Sequence, residues 1–583
     1  MPIHAYDRLL PGRKNGPDPL APERVIRKWL LISGLWLCLA AMMGSIKAYA
    51  ADAEGAVAAL IRERVAAAAA EQRIVCRGEL LCGIAELPRF YAQRGYRPAW
   101  EGAGGDFAPA AELTHQIEAA AAHGLDPQTY RLNILQDLLE RVRGQLASGH
   151  SLDAALSADL DFLLTDAFLL LASHLRAGRV NPQTLHPEWV VQMDPAIDFA
   201  RILQEAIASG RIGAALETFP PPHPEYRALK LALADYRRLA TAGEWPQLPP
   251  SARWEPGDTG EIADLLRARL IASGDISPTA EGAGPDRELF EGLRRFQARH
   301  GLEVDGRMGA QSVQALNVSI GERVRQIELN LERWRWLPPD LGPRHIRVDV
   351  PHFDLSVIAE GDTVLRMRVV VGRHYRRTPV FSSLMDHLVF NPDWTIPPRI
   401  AVQDILPKAR KEPGYMRREN IRVFDGWGRD AAELDPDAID WGGVTAANFR
   451  YKLRKDPGPK NDLGRVKFMF PNNFNVYLHD TPSRRLFERS MRGFSSGCIR
   501  IEKPLELAAL VLLDSPAWTP ESVKAAVDSG RMRTVTLPRK IPVHLIYMTA
   551  AAGADGRVEF RPDIYQRDPV LDLALRAKPP RVP

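Results

Sequence analysis

Apolar positions along the chain change their period twice. From about residue 53 to 245 they recur at helical spacing, as where Leu163, Leu164, Ala167, Leu170 and Leu171 share one face. That run meets a helix stop at Gly178 and Asn181-Pro182, and His174 near its end reads as a structural histidine. Phe219-Pro220-Pro221-Pro222 and the Pro246–Pro250 stretch read as turns or linkers. Between Trp254 and Asn317 a smaller helical unit is predicted. It carries one helix through Ile262, Leu265, Leu266 and Leu270, a second through Phe290, Leu293 and Phe296, and a third through Val313 and Leu316 after a turn at Asp305-Gly306. From about Arg344 the period falls to two. Ile346, Val348 and Val350 alternate with polar residues, and further β-rich runs follow at Val364–Val371, Val389-Phe390, Phe468–Phe470, Asn475–His479 and Ile541–Met548. The last is expected to pair with Val558–Phe560 across a turn at Ala554-Asp555-Gly556. A polar stretch over 397–467, containing Trp and Pro, interrupts the strands and reads as an insertion; loops of that length are lids or disordered.

One segment departs from both patterns. Residues 29–46 hold no charge and follow Arg24, Arg27 and Lys28, and Ala48-Tyr49-Ala50 resembles a small-residue cleavage site. The run is either a cleaved signal peptide or a retained membrane anchor, and both place the chain after residue 51 outside the cytoplasm. The 583 residues suggest about four domains. Hydrophobic residues at 45% and charged residues at 25% exclude a disordered or polytopic membrane chain. With 76 basic and 72 acidic residues the net charge is +4, too small for a dedicated nucleic-acid binder.

Export makes the cysteines informative. Cys38 lies in the apolar run. Cys76 and Cys82 are close enough in sequence to be candidates for a local disulfide, with two free buried thiols as the alternative. Cys498 is left without a partner, and an odd thiol in an exported chain is reactive or deeply buried. Its setting is Ser495-Ser496-Gly497-Cys498-Ile499-Arg500. Strand alternation sends Ile499 and Ile501 to the core and Cys498 and Arg500 to the other side. In the preceding run Val476 and Leu478 face the core, and Tyr477 and His479 face a cleft. A thiol, a histidine to take and return its proton, and a glycine turn that aims the Gly497 and Cys498 N–H groups at one oxyanion suffice for acyl transfer. No metal site or cofactor is expected; His345, Asp349, His352 and Asp354 do not share a strand face.

His479 and Ser496-Gly497-Cys498, nineteen residues apart, resemble the L,D-transpeptidase (YkuD-like) catalytic domain, although many members carry histidine where Ser496 stands. Asn391-Pro392-x-Trp394-x-x-Pro397, Asn461-x-Leu463-Gly464 and Tyr477-Leu478-His479-Asp480-Thr481-Pro482 are similar to the large YcbB-like subfamily. The segment from Phe296-Gln297 to Asn317 resembles a peptidoglycan-binding domain.

The resemblance implies a multidomain α+β chain. Its parts are a signal or anchor at 1–51, a helical scaffold at 53–245, a three-helix peptidoglycan-binding domain at 254–317, a mainly β catalytic domain at 344–560 with a capping insertion at 397–467, and a tail at 561–583. It implies 3→3 cross-linking of peptidoglycan stem peptides in the periplasm, with Cys498 as nucleophile and His479 as base. In that reading Tyr477, Ser495, Ser496, Arg500 and Trp394 bind substrate, and a carbapenem acylates Cys498. An L,D-carboxypeptidase or thiol amidase using water, and a non-catalytic wall-binding scaffold, are the alternatives. Implied partners are stem peptides and cell-wall synthesis or regulatory proteins; in the family the third catalytic partner is often a backbone carbonyl.

Overall fold

The computed structural model describes residues 54–577 apart from 69–70, 72, 84, 102–105, 149–150, 191–196, 278–284 and 554. The apolar run at 29–46 and Cys38 lie outside the described residues. Among those described, no helix is long and apolar enough to cross a membrane.

The chain forms two compact units. The first holds the described residues up to 108 together with those of 135–166. Its core is pinned by Asp161, whose buried carboxylate accepts from the Tyr91 hydroxyl at 2.7 Å and from the N–H groups of Ala99 and Trp100. Burial pushes that carboxyl up to about 6. The strands Val75–Cys76 and Glu79–Leu80 make a short hairpin here. The expected disulfide is absent: Cys76 and Cys82 are not joined to each other. Cys76 is buried with its sulfur 3.6 Å from Asp159 Oδ1, whereas Cys82 follows the hairpin and is exposed. The two side chains therefore lie in different environments, and burial beside Asp159 pushes the Cys76 thiol up to about 12.

The second unit carries the remainder. Helices Glu261–Ala272, Pro285–Arg299 and Ala310–Leu316 pack Leu266, Leu270, Leu293, Phe296, Val313 and Leu316 into one core with Trp254. Buried Gln297 closes the Asp305-Gly306 turn, donating to Asp305 Oδ1 and accepting from the Gly306 N–H, both at 2.9 Å. A further helix, Ile320–Trp334, follows behind a Ser319/Glu322 capping box. It buries Leu329 against the β core, and Ile327, Leu331 and Trp334 against the helix Pro224–Thr241.

The β region is a nine-stranded sheet. In spatial order it runs Gly493–Ser495, Asp362–Gly372, Ile499–Ile501, Leu478–His479, Val466–Met469, Phe381–Phe390, Arg533–Ile546, Arg344–Asp349 and Asp354–Ala359. Asp354–Ala359 also pairs with Asp362–Gly372, so the sheet closes on itself. Inward side chains such as Ile346, Val348, Val369, Val371, Leu388, Phe468, Leu478, Ile499 and Val543 fill it. Ile541–Ile546 belongs to the long strand beside Phe381–Phe390, so Val558–Phe560 pairs instead with Ala550–Ala552. The stretch placed in a tail at 561–583 is structural as far as it is described: Tyr565, Leu571 and Leu575 complete the β core.

The insertion is ordered. Trp394–Ile396, Lys452–Lys455, Ile421–Phe424 and Glu433–Leu434 form a four-stranded sheet, so the inserted unit starts a few residues before 397 and Val466 already belongs to the closed sheet. Its own core includes Ile396, Leu406, Met416, Val423, Trp441 and Leu453.

Candidate active site

Three neighbouring strands place the candidate residues by register. His479 lies opposite Lys467 on one side and Arg500 on the other. One position away, Phe468, Leu478 and Ile499 form the inward row and are fully buried. The period-two pattern therefore puts Lys467, His479 and Arg500 in one line on the opposite face. Asn472 delivers the middle strand: its Oδ1 accepts from the N–H groups of Phe474 and Val476, and its Nδ2 donates to the carbonyls of Phe470 and Val476.

The histidine tautomer follows from its partner. His479 Nδ1 is 2.6 Å from the Asp480 backbone carbonyl, which only accepts, so the proton is on Nδ1 and the lone pair on Nε2. The Asp480 carboxylate points elsewhere, accepting from the Arg465 N–H at 2.9 Å and from Arg484 at 3.2 Å. Gly464, at φ +62°, makes this possible, since a Cβ there would meet that carboxylate at 2.4 Å. Burial, then Arg500 and Lys467, push His479 down to about 3, so the ring is neutral at any physiological pH.

Cys498 is half-buried, with Sγ 3.9 Å from the Asn475 carbonyl. Burial pushes its thiol up, against the opposing pull of the Tyr477 N–H and hydroxyl, Lys467 and Arg500. The resting pair is therefore neutral thiol and neutral imidazole. Tyr477 lies 5.7 Å from the His479 ring, centre to centre, and its hydroxyl interacts with both Cys498 and Trp394. Trp394 is buried in the insertion's core, so it reaches the site through Tyr477. Ser495 is buried beneath the turn: its hydroxyl donates to the Cys498 carbonyl at 2.5 Å and accepts from the Gly497 N–H at 3.1 Å. This corrects the two-donor oxyanion site, because the Gly497 N–H is already engaged. The Cys498 N–H has no partner among the described residues. Ser496 is exposed and accepts from Arg376 at 2.7 Å.

Arg500 forms no ion pair among the described residues, and its Nε is buried without a partner. Lys467 closes a basic stretch with Arg450, Lys452, Arg454, Lys455, Lys460 and Arg465, a composition that by itself suits a solvated face. It instead stands 4.0 Å over the Tyr477 ring, and burial holds its ammonium below the usual lysine range. Strand register was the missing signal, since only the pairing with His479 distinguishes it from its neighbours. Most of the other basic residues serve the insertion itself, as where Lys455 pairs with Asp462 at 2.8 Å. No cluster of metal-ligating side chains occurs among the described residues.

One closed sheet thus brings together a cysteine, a neutral histidine held by a backbone carbonyl and a buried arginine. Residues 343–524 match the L,D-transpeptidase catalytic domain family (YkuD), and residues 85–233 match the scaffold domain family. The chain thus carries an L,D-transpeptidase catalytic domain behind a helical scaffold domain. A Haemophilus influenzae protein named for L,D-transpeptidase activity is 36% identical over 250 residues, 43% of this chain and 49% of its own. The chain spans about half the length of that relative. An L,D-transpeptidase from Mycobacterium smegmatis aligns over 35% of this chain and 58% of its own at 12% identity, with a TM-score of 0.17, too low to bear on the fold.

Proposed function

We propose that this chain is a peptidoglycan L,D-transpeptidase that forms 3→3 cross-links between stem peptides through a Cys498 thioester. The observation that carries this reading is the fixed tautomer of His479, with Nδ1–H on the Asp480 carbonyl and Nε2 free to take a proton. His479 takes the Cys498 proton as sulfur attacks the carbonyl of the third residue in a tetrapeptide donor. The C–N bond then breaks, and D-Ala leaves with the proton returned by His479. The side-chain amine of a second stem attacks the thioester, loses a proton to His479 and releases the thiol. Arg500, unpaired and aligned with His479, suits a substrate carboxylate. Tyr477 lines the same cleft, with Trp394 behind it in the insertion's core. The substrate places the working enzyme in the periplasm.

The test is incubation with tetrapeptide muropeptides, read by mass spectrometry. The expected products are 3→3 dimers and free D-Ala, with a transient acyl adduct on Cys498. Cys498→Ala is expected to abolish both, and His479→Gln to slow adduct formation by about 10²–10⁴-fold. Tripeptide without dimer would assign water as the acceptor. Cross-linking by Cys498→Ala would end the cysteine mechanism.

A further inference from the structure

Two features of the nucleophile turn have no role in the chemistry described so far: a fully buried threonine, Thr378, and a fully buried tyrosine, Tyr565. The Thr378 hydroxyl lies 2.9 Å from the Gly372 N–H and 2.8 Å from the Gly497 carbonyl oxygen. A hydroxyl has one hydrogen. It accepts from the amide, so its own proton goes to the carbonyl. The Gly497 carbonyl and the Cys498 N–H belong to one trans peptide plane and point in opposite directions. Holding the carbonyl down onto Thr378 therefore turns the Cys498 N–H away from the interior. This is the turn's unengaged N–H donor at the nucleophile, because Ser495 occupies that of Gly497.

Thr378 is itself fixed. Its N–H donates to the Tyr565 hydroxyl at 3.1 Å, and that hydroxyl donates to the Gly372 carbonyl at 2.8 Å. Gly372 is irreplaceable in this packing, since a Cβ would meet the Arg376 carbonyl oxygen at 2.1 Å. Gly497, at φ +120°, supplies the bend at the other end.

We propose that Thr378 is a positioning residue that sets the Cys498 N–H as the oxyanion donor of acyl transfer, with Tyr565 holding Thr378. This rests on the transferase reading above. As sulfur bonds to the carbonyl carbon, the π electrons move to oxygen, and the Cys498 N–H stabilises that charge until the C–N bond breaks. A hydroxyl at 378 matters for this step and not for attack on a saturated carbon, where no oxyanion forms.

The experiment compares Thr378→Val, Thr378→Ser, Tyr565→Phe and the unaltered chain in two reactions: acylation of Cys498 by a tetrapeptide stem, and its alkylation by iodoacetamide, with thermal melting alongside. In Thr378→Val, acylation is expected to fall by about tenfold to a hundredfold in kcat with KM little changed. Alkylation should stay within about twofold. Thr378→Ser, which keeps the hydroxyl, is expected to restore acylation, and Tyr565→Phe to fall between. Unchanged acylation in Thr378→Val, or a parallel fall in alkylation, would overturn the proposal. Absence of any acylation in the unaltered chain, with alkylation intact, would instead overturn the transferase reading on which it rests.

Discussion

His479 stands between Lys467 and Arg500 in one row of the sheet, and that row sets the protonation states of the site. With His479 held down to about 3 and the Cys498 thiol pushed up, the free enzyme holds no thiolate–imidazolium pair at neutral pH. Raising pH removes the thiol proton, so reactivity rises with pH; lowering pH to 5 leaves His479 neutral, so no acid limb near 6.5 is created. Alkylation of Cys498, followed by mass spectrometry of its peptide, is expected to climb steadily from pH 7 to 9.5. A plateau by pH 7 would show a depressed thiol and contradict this picture. Lys467→Met removes one cation that favours the thiolate. It is expected to slow alkylation at pH 8 by about threefold to tenfold. The cysteine, the histidine and the arginine were legible in sequence because a short motif carries them. Lys467 was not, because its position opposite His479 depends on a pairing between segments twelve residues apart.

At the scale of elements, the inserted unit and the nucleophile turn are joined through Arg376. Its guanidinium donates to Gln403 and Asp404 in the π-helical turn Ala401–Ile405 and to the Ser496 hydroxyl. The insertion therefore reports its position directly to the residue two before the nucleophile. Arg376→Met is expected to leave the melting temperature of the closed sheet nearly unchanged, because half-exposed Asp404 is rehydrated. It is expected to accelerate hydrogen exchange over 398–411 and to lower turnover. Identical exchange in that segment would show that Arg376 does not tether it. The strands flanking the insertion were legible from alternation at Ile346–Val350 and Leu478–Ile501. The insertion's own sheet was not, because Lys452–Lys455 and Ile421–Phe424 are only four residues long, and in the first Leu453 is the single apolar residue among charges. The same weakness misassigned the partner of Val558–Phe560. Ala550–Ala552 has low β propensity, and its pairing comes from packing of Ala550 and Ala552 with Phe560.

For the second unit as a whole, burial of histidine governs the response to acid. His123, His174 and His479 are held down to about 3, His186 and His544 to about 4, and His223, His300 and His345 below the usual histidine value, burial being the first cause in each. In the unfolded chain these rings titrate near 6.5. As pH falls through 6.5 the unfolded state takes up protons that the native state refuses, so stability is full above that value and is lost progressively toward the folded pKa values. The buried carboxyls Asp349 and Asp568, raised by burial, act in the opposite sense but are fewer. Eight histidines against two carboxyls leave a net uptake on unfolding between pH 6.5 and 5. Even two net protons over that interval correspond to about 2–4 kcal/mol. The urea midpoint is therefore expected to be lower at pH 5 than at pH 7.5 with an unchanged slope, and a midpoint that holds or rises on acidification would refute the account. His544→Asn tests the cause at one position. The ring accepts or donates at both nitrogens, to Ser382 at 2.7 Å and to the Leu341 carbonyl at 2.9 Å, and the replacement keeps one of these while removing the titration. Its midpoint should be lower than that of the unaltered chain at pH 7.5, with the difference narrowing at pH 5, since the mutant has one fewer proton to gain on unfolding.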